Sequence, residues 1–231
     1  RNYTTIKKTK FIMNILIPMA GEGSRFKIKG FDRPKPLIKI DDMCLIEKAV
    51  STLGIPGKYI FVTRKYDEPE LNNELKETLN RIAPGCVIHQ IDYLTDGATA
   101  TCLIAKNEIN NNEPLIITNC DQALDWDSND FLDNIKDVDG CVVTYDSDNA
   151  KNSFIQTDEN GRGTHIAEKQ VISNLALIGL HYWKHGSDFV SSAEQLISNE
   201  IKSRNEYYIA PTYNLLINEG KYITNYHIDK K

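Results

Sequence analysis

The sequence predicts an α/β protein: a mostly parallel central sheet wound with helices, with a small β-rich insertion in its second half. Three observations lead there. Short, nearly continuous apolar runs recur along the first part of the chain, as strands covered on both faces require. Segments with helical signals stand between those runs. Beyond residue 150 the alternation gives way to a hairpin pattern before strand and helix resume.

The first buried strand is Asn14–Met19 (NILIPM), followed by a glycine-rich turn at 21–24. Residues 45–53 read as a helix ended by Gly54 and Pro56. Residues 59–63 (YIFVT) form a second strand, and 70–82 an amphipathic helix closed by Pro84-Gly85. A third strand at 86–91 leads to a helix at 98–109. A fourth, 114–118 (PLIIT), runs into Asn119-Cys120-Asp121, and a helix at 131–138 precedes a fifth strand at 140–145 (GCVVTY). Residues 153–157 and 164–168 flank the turn Asp158-Glu159-Asn160-Gly161 and read as a hairpin. A strand at 175–183, helices at 188–202 and 211–218, and a last strand at 222–226 complete the order. No repeat or linker interrupts it, so residues 13–231 are expected to form one domain whose second half walls one side of a cleft. Residues 1–12 are polar and basic and lack the apolar core of a secretory signal. Met13 stands directly before the first strand, so 1–12 are expected to be a leader or tag, with a short ordered arm as the alternative.

The chain has 231 residues, a net charge of −5, 41% hydrophobic and 26% charged residues, an ordinary globular composition. The acidic balance argues against a general nucleic-acid surface. No apolar run approaches the roughly 18 residues of a membrane span. Five cysteines at scattered positions (44, 86, 102, 120, 141) contain no C-x-x-C pair, which reads as reduced thiols in a cytoplasmic protein. The sequence leaves oligomeric state open, a homo-oligomer included.

The richest chemistry lies in residues 16–37, LIPMAGEGSRFKIKGFDRPKPL. Gly21 and Gly23 let the backbone turn tightly and bring amide N–H groups close to an anion. Arg25 supplies a planar permanent cation, and Lys35 a point charge between two prolines. Phe26 stands where a dinucleotide fingerprint needs its third glycine, and the P-loop pattern is absent.

A strand, then A-G-E-G-S-R-F, then P-K-P-L about ten residues later resembles the signature of the sugar-phosphate nucleotidylyltransferases and their cytidylyltransferase relatives. The resemblance implies a Rossmann-like, glycosyltransferase-A-like fold. It also implies nucleotide binding by Met19, Ala20, Gly21, Glu22, Gly23 and Ser24, with Thr95, Gly97 and Ala98 facing base and ribose. Asp92 lies near the position of a base-reading Gln. Asp121 matches the residue that binds Mg²⁺ in the family. Lys169 of Glu168-Lys169 matches the lysine that contacts the acceptor phosphate, and Glu168, Asn174 and Gly179 are the expected acceptor-binding residues beside it. Arg25, Lys35 and Lys169 are the expected catalytic cations.

Three departures accompany the match. Gln170 replaces a frequent Pro, Ser153 stands where a Gly is usual, and residues 208–212 (YIAPT) lack the family's late metal-binding Asp. The implied reaction joins an NTP to a sugar 1-phosphate, releases pyrophosphate and yields an NDP-sugar for surface polysaccharide. A cytidylyltransferase acting on phosphocholine or another small phosphorylated or phosphonate acceptor is the alternative. Two other classes stay open: a glycosyltransferase, prompted by the D-x-D spacings at 125–127 and 146–148, and a non-catalytic nucleotide-binding subunit. The histidines at 165, 181 and 185 lack ligand-like spacing and read as core or surface residues.

Overall fold

A computed structural model describes residues 13–229, without the side chains of Arg25 and Lys27. The expected leader at 1–12 lies outside the described residues. The first half comprises β1 (Asn14–Met19), α1 (Ser24–Ile28), a 3-10 turn (Lys35–Leu37), β2 (Lys39–Ile40), β3 (Met43–Cys44), α2 (Leu45–Leu53), β4 (Lys58–Arg64), α3 (Pro69–Ile82) and β5 (Val87–Ile91). Then follow α4 (Ala98–Leu103), α5 (Lys106–Ile109), β6 (Leu115–Ile117), α6 (Ser128–Asn134) and β7 (Gly140–Asp146). The remainder is β8 (Ser153–Thr157), β9 (Gly163–Glu168), β10 (Leu175–Trp183), α7 (Gly186–Ser198), α8 (Thr212–Asn218) and β11 (Ile223–His227).

The main sheet runs in the order β11-β7-β10-β6-β1-β4-β5. β1 pairs in parallel with β4 and β6, β4 with β5, and β11 with β7; β10 is antiparallel to both of its neighbours β6 and β7. The β8–β9 hairpin joins through Phe154 opposite Ala176 of β10, and is the expected β-rich insertion. The apolar runs are continuous because the sheet is covered on both faces. Along β1, Ile15, Ile17 and Met19 pack with Ile46, Leu79 and Phe131 from α2, α3 and α6. Leu16 points the other way, to a core with Cys102, Phe189 and Tyr213 from α4, α7 and α8.

Local chemistry explains where helices differ from their expected bounds. Residues 98–109 split into α4 and α5. There Ile104 N–H donates to the Thr101 carbonyl and Ala105 N–H to that of Cys102, at 3.2 and 3.1 Å, and the tighter spacing interrupts the ladder. The next helix starts at Ser128 rather than Phe131, because the Asp127 carboxylate accepts from the Asn129 and Asp130 N–H groups at 2.9 and 3.2 Å. α7 stops at Ser198 as Glu200 turns to φ 53° and Ile201 N–H closes on the Leu196 carbonyl. The short elements between residues 24 and 44 escape periodicity altogether. α2 ends as expected, with Gly54 at φ 65°.

His181 lies beside the stacked rings of Trp183 and Tyr213, 5.9 and 5.8 Å from their centroids, and burial holds its imidazole down at about 3. Among the described residues no three His, Cys, Asp or Glu side chains gather as a metal cage, and no helix is long and apolar enough to cross a membrane.

Candidate active site

The site is built at the C-terminal ends of the parallel strands, where open α/β sheets place ligands. β1 ends at Met19, whose side chain is buried in the core, and the chain turns through Gly21-Glu22-Gly23. Gly23 takes φ +64°, and a Cβ there would stand 3.3 Å from the Lys35 Cβ. The glycine therefore lets the P-K-P segment lie against the turn. Pro36 and Leu37 are buried and anchor that segment, which leaves Lys35 at the mouth of the cleft.

Two of the expected residues meet directly. Lys35 Nζ stands 2.8 Å from Asp121 Oδ2, and each side chain is a little under one-third exposed. Asp121 follows β6 after Asn119 and the buried Cys120, whose thiol burial pushes up to about 11. A thiol so protonated is no nucleophile. Phe26 places its ring 5.7 Å from the Lys35 ammonium, so the residue that breaks the dinucleotide fingerprint borders the site's main described cation. The backbone of Arg25 lies in α1; its side chain lies outside the described residues.

Two cavities adjoin at Gly21 and Glu22. The larger, ≈ 640 Å³, is lined by the turn, Arg33, Lys35, Arg64, Lys65 and Asp92. The smaller, ≈ 360 Å³, holds Ala20, Ser24, Thr95, Gly97, Ala98 and Glu206, and among the described side chains no Lys or Arg lines it. Gly97 has φ +122°, and a Cβ on it would fall 2.6 Å from the Tyr207 N. Thr99 N–H donates to the Tyr207 carbonyl at 3.0 Å and Tyr207 N–H to that of Asp96 at 2.7 Å. The late segment is thereby stitched onto this turn. It brings one carboxylate to the cavity, Glu206, while Ile209 and Ala210 are buried.

The expected acceptor residues are arranged differently. Lys169 has φ 56°, a left-handed bend that costs a non-glycine residue on the order of 1–3 kcal/mol and aims its side chain. Its ammonium donates to the Tyr208 hydroxyl and lies 3.8 Å from that ring's centroid. The Glu168 carboxylate accepts from the Ser153 hydroxyl, and burial pushes its pKa up despite that bond and the nearby Lys169. Asn174 donates to Asp146 at 2.7 Å, and the room beside Gly179 is filled by the Asn119 amide. Glu168, Lys169, Asn174 and Gly179 line neither cavity. Of the two D-x-D stretches, Asp127 serves as the α6 cap and Asp146 as the Asn174 acceptor.

Arg33, Arg64 and Lys65 escaped the sequence reading. A usable signal existed for the last two: basic residues directly ending a buried parallel strand point at the ligand side of the sheet.

The sequence matches the profile of the nucleotidyl transferases over residues 15–222. A direct comparison with curated protein sequences finds no match. Among solved structures, a nucleoside-diphosphate-sugar pyrophosphorylase from Vibrio cholerae RC9 is similar at TM-score 0.79 and 22% identity, covering 94% of this chain and 92% of that one. A UDP-glucose pyrophosphorylase complexed with UDP-glucose is similar at TM-score 0.71 and 22% identity, with 95% and 92% covered. Both likenesses establish the shared fold.

Proposed function

The chain belongs to the nucleotidyl transferase family, and from that premise we propose that it joins an NTP to a sugar 1-phosphate, releasing pyrophosphate and leaving an NDP-sugar. The observation that carries this reading is the Lys35–Asp121 pair at 2.8 Å, whose lysine lines the larger cavity together with the glycine turn, Arg64 and Lys65. The similar structures, named for nucleotide-sugar pyrophosphorylases, support the choice of acceptor.

An ionised phosphate oxygen of the acceptor attacks the α-phosphorus in line, and pyrophosphate leaves. No general base is demanded, because the nucleophile is already an anion at neutral pH. The obstacle is repulsion between anions, which fixed cations reduce. The glycine-turn amides and Lys35 hold the triphosphate, with Arg25 as an expected second cation. The nucleoside occupies the smaller cavity, against Thr95, Gly97 and Ala98. Lys169 receives the acceptor phosphate by exchanging Tyr208 for it.

The donor set fits Mg²⁺: one accessible carboxylate, Asp121, beside a phosphate site, with no cage of three ligands among the described residues. Mg²⁺ is commonly held by one or two carboxylates together with substrate phosphates and water. When bound there it would neutralise phosphate charge. The same reading places the enzyme in the cytoplasm as a source of activated sugar for surface polysaccharide. Pyrophosphate release is to be measured with ATP, CTP, GTP, UTP and dTTP against glucose 1-phosphate and phosphocholine. Turnover with the sugar phosphate is expected. Turnover with phosphocholine alone would move the acceptor assignment, and release of free NDP from an NDP-sugar without pyrophosphate formation would overturn the reading.

A further inference from the structure

We propose that Arg64 binds the polyphosphate of the substrate and that Glu22 occupies its guanidinium until that substrate arrives; the inference rests on the nucleotidyl-transfer reading above. Arg64 is the last residue of β4. The β1–β4 register pairs Met19 with Thr63, so the next residues in line, Ala20 and Arg64, emerge side by side where the glycine turn begins. Arg64 and Glu22 both line the larger cavity together with Lys35. Among the described side chains no Lys or Arg lines the neighbouring cavity, whereas Arg33, Lys35, Arg64 and Lys65 line the larger one beside five acidic residues, so the cations within reach of a polyanionic tail lie on this side.

The cleft's paired cations differ in how firmly they are held. Arg33 reaches both oxygens of Glu74 at 2.5 Å, and Lys35 meets Asp121 at 2.8 Å. Arg64 and Glu22 are 3.8 Å apart, beyond hydrogen-bond distance, with Glu22 half exposed. A loosely held, solvent-bordered pair of this kind contributes little, so exchanging it for a phosphate oxygen is easy. The backbone behind Arg64 is nevertheless fixed. The Asn72 side chain accepts from Tyr66 N–H at 2.9 Å and donates to the Tyr66 carbonyl at 2.7 Å, and Lys65 N–H donates to Ile91 at 2.7 Å. A planar, permanently charged fork on a fixed strand end is suited to phosphate oxygens. Glu22 lies on the turn itself, where its negative charge opposes the incoming polyanion.

The test is calorimetric titration of the full chain with sodium tripolyphosphate, with thermal melting as the control for folding. Arg64→Met is expected to weaken binding about tenfold, the loss of one charge-assisted hydrogen bond, and Arg64→Lys to restore part of it. Glu22→Gln, at an exposed position, is expected to tighten binding about threefold, a fraction of a kcal/mol. Unchanged affinity in Arg64→Met while Lys35→Met binds weakly would overturn the role of Arg64 and leave the transfer reading standing. Unchanged affinity in both would remove the two together. Unchanged or weaker binding in Glu22→Gln would overturn the place-holding role.

Discussion

At the glycine turn, Lys35 faces Asp121 with side chains 28% and 30% exposed; at the end of the hairpin, Lys169 and Glu168 are 12% and 7% exposed. Both regions set a lysine beside an acid, but their surroundings oppose each other. Around Lys35 the charges are bordered by water and the backbone is shaped by glycines, so a partner can be exchanged at little cost. Around Lys169 the carboxyl is desolvated and hydrogen-bonded to Ser153, the ammonium rests on Tyr208, and the backbone is held left-handed. Partly exposed charge changes partners at little cost, whereas the Lys169 ammonium must give up Tyr208 before it can meet another anion.

Lys35→Ala should have the largest effect. A loss of about 10²–10³ in kcat, or about 2.7–4 kcal/mol, is expected. The melting temperature should barely move, since a partly exposed pair contributes about 0–1 kcal/mol. Steady-state pyrophosphate release and thermal melting check the two halves; a large drop in stability would erase the contrast between the regions.

Gly97→Ala comes next. Its Cβ would stand 2.6 Å from Tyr207 N at φ +122°, and a loss of about 1–3 kcal/mol in urea unfolding is expected. The late segment that carries Tyr208 should loosen with it. Lys169→Met sharpens the comparison from the other side. It strips a cation from beside the buried Glu168, and unfolding free energy should fall by about 1–3 kcal/mol together with acceptor affinity. A variant that lost affinity alone would put Lys169 in the same class as Lys35.

The smallest effect belongs to Glu168→Gln. Burial raises the folded-state pKa of Glu168 above 4.5, so folding favours its protonated form. Its favourable contribution is complete below pH 4.5 and is lost as pH rises through the folded-state value. The glutamine variant should flatten this part of the pH–stability curve while keeping a hydrogen-bonding side chain at Ser153. Melting curves across pH, wild type against variant, measure it.

Much of the first region was legible before any coordinates. Gly21, Gly23, Lys35 and Asp121 sit beside recognisable strand runs, and strand ends are where parallel sheets offer ligand sites. The hairpin was legible from its Asp-Glu-Asn-Gly turn. The break within residues 98–109 was not, because Thr101 and Cys102 carbonyls tighten a ladder whose apolar period is uninterrupted. Nor was the true start of α6, since Asp127 reads equally as a cap and as half of a D-x-D.

Alternation, turn chemistry and the spacing of charges along the chain determined the parallel sheet, the insertion and the glycine turn, because each depends on near neighbours in sequence. Which charges meet was decided only in three dimensions. Arg64 against Glu22, Lys169 against Tyr208, and Asn119 in the space beside Gly179 join residues from 39 to 60 positions apart. Such contacts depend on strand register and burial, and no local pattern encodes either.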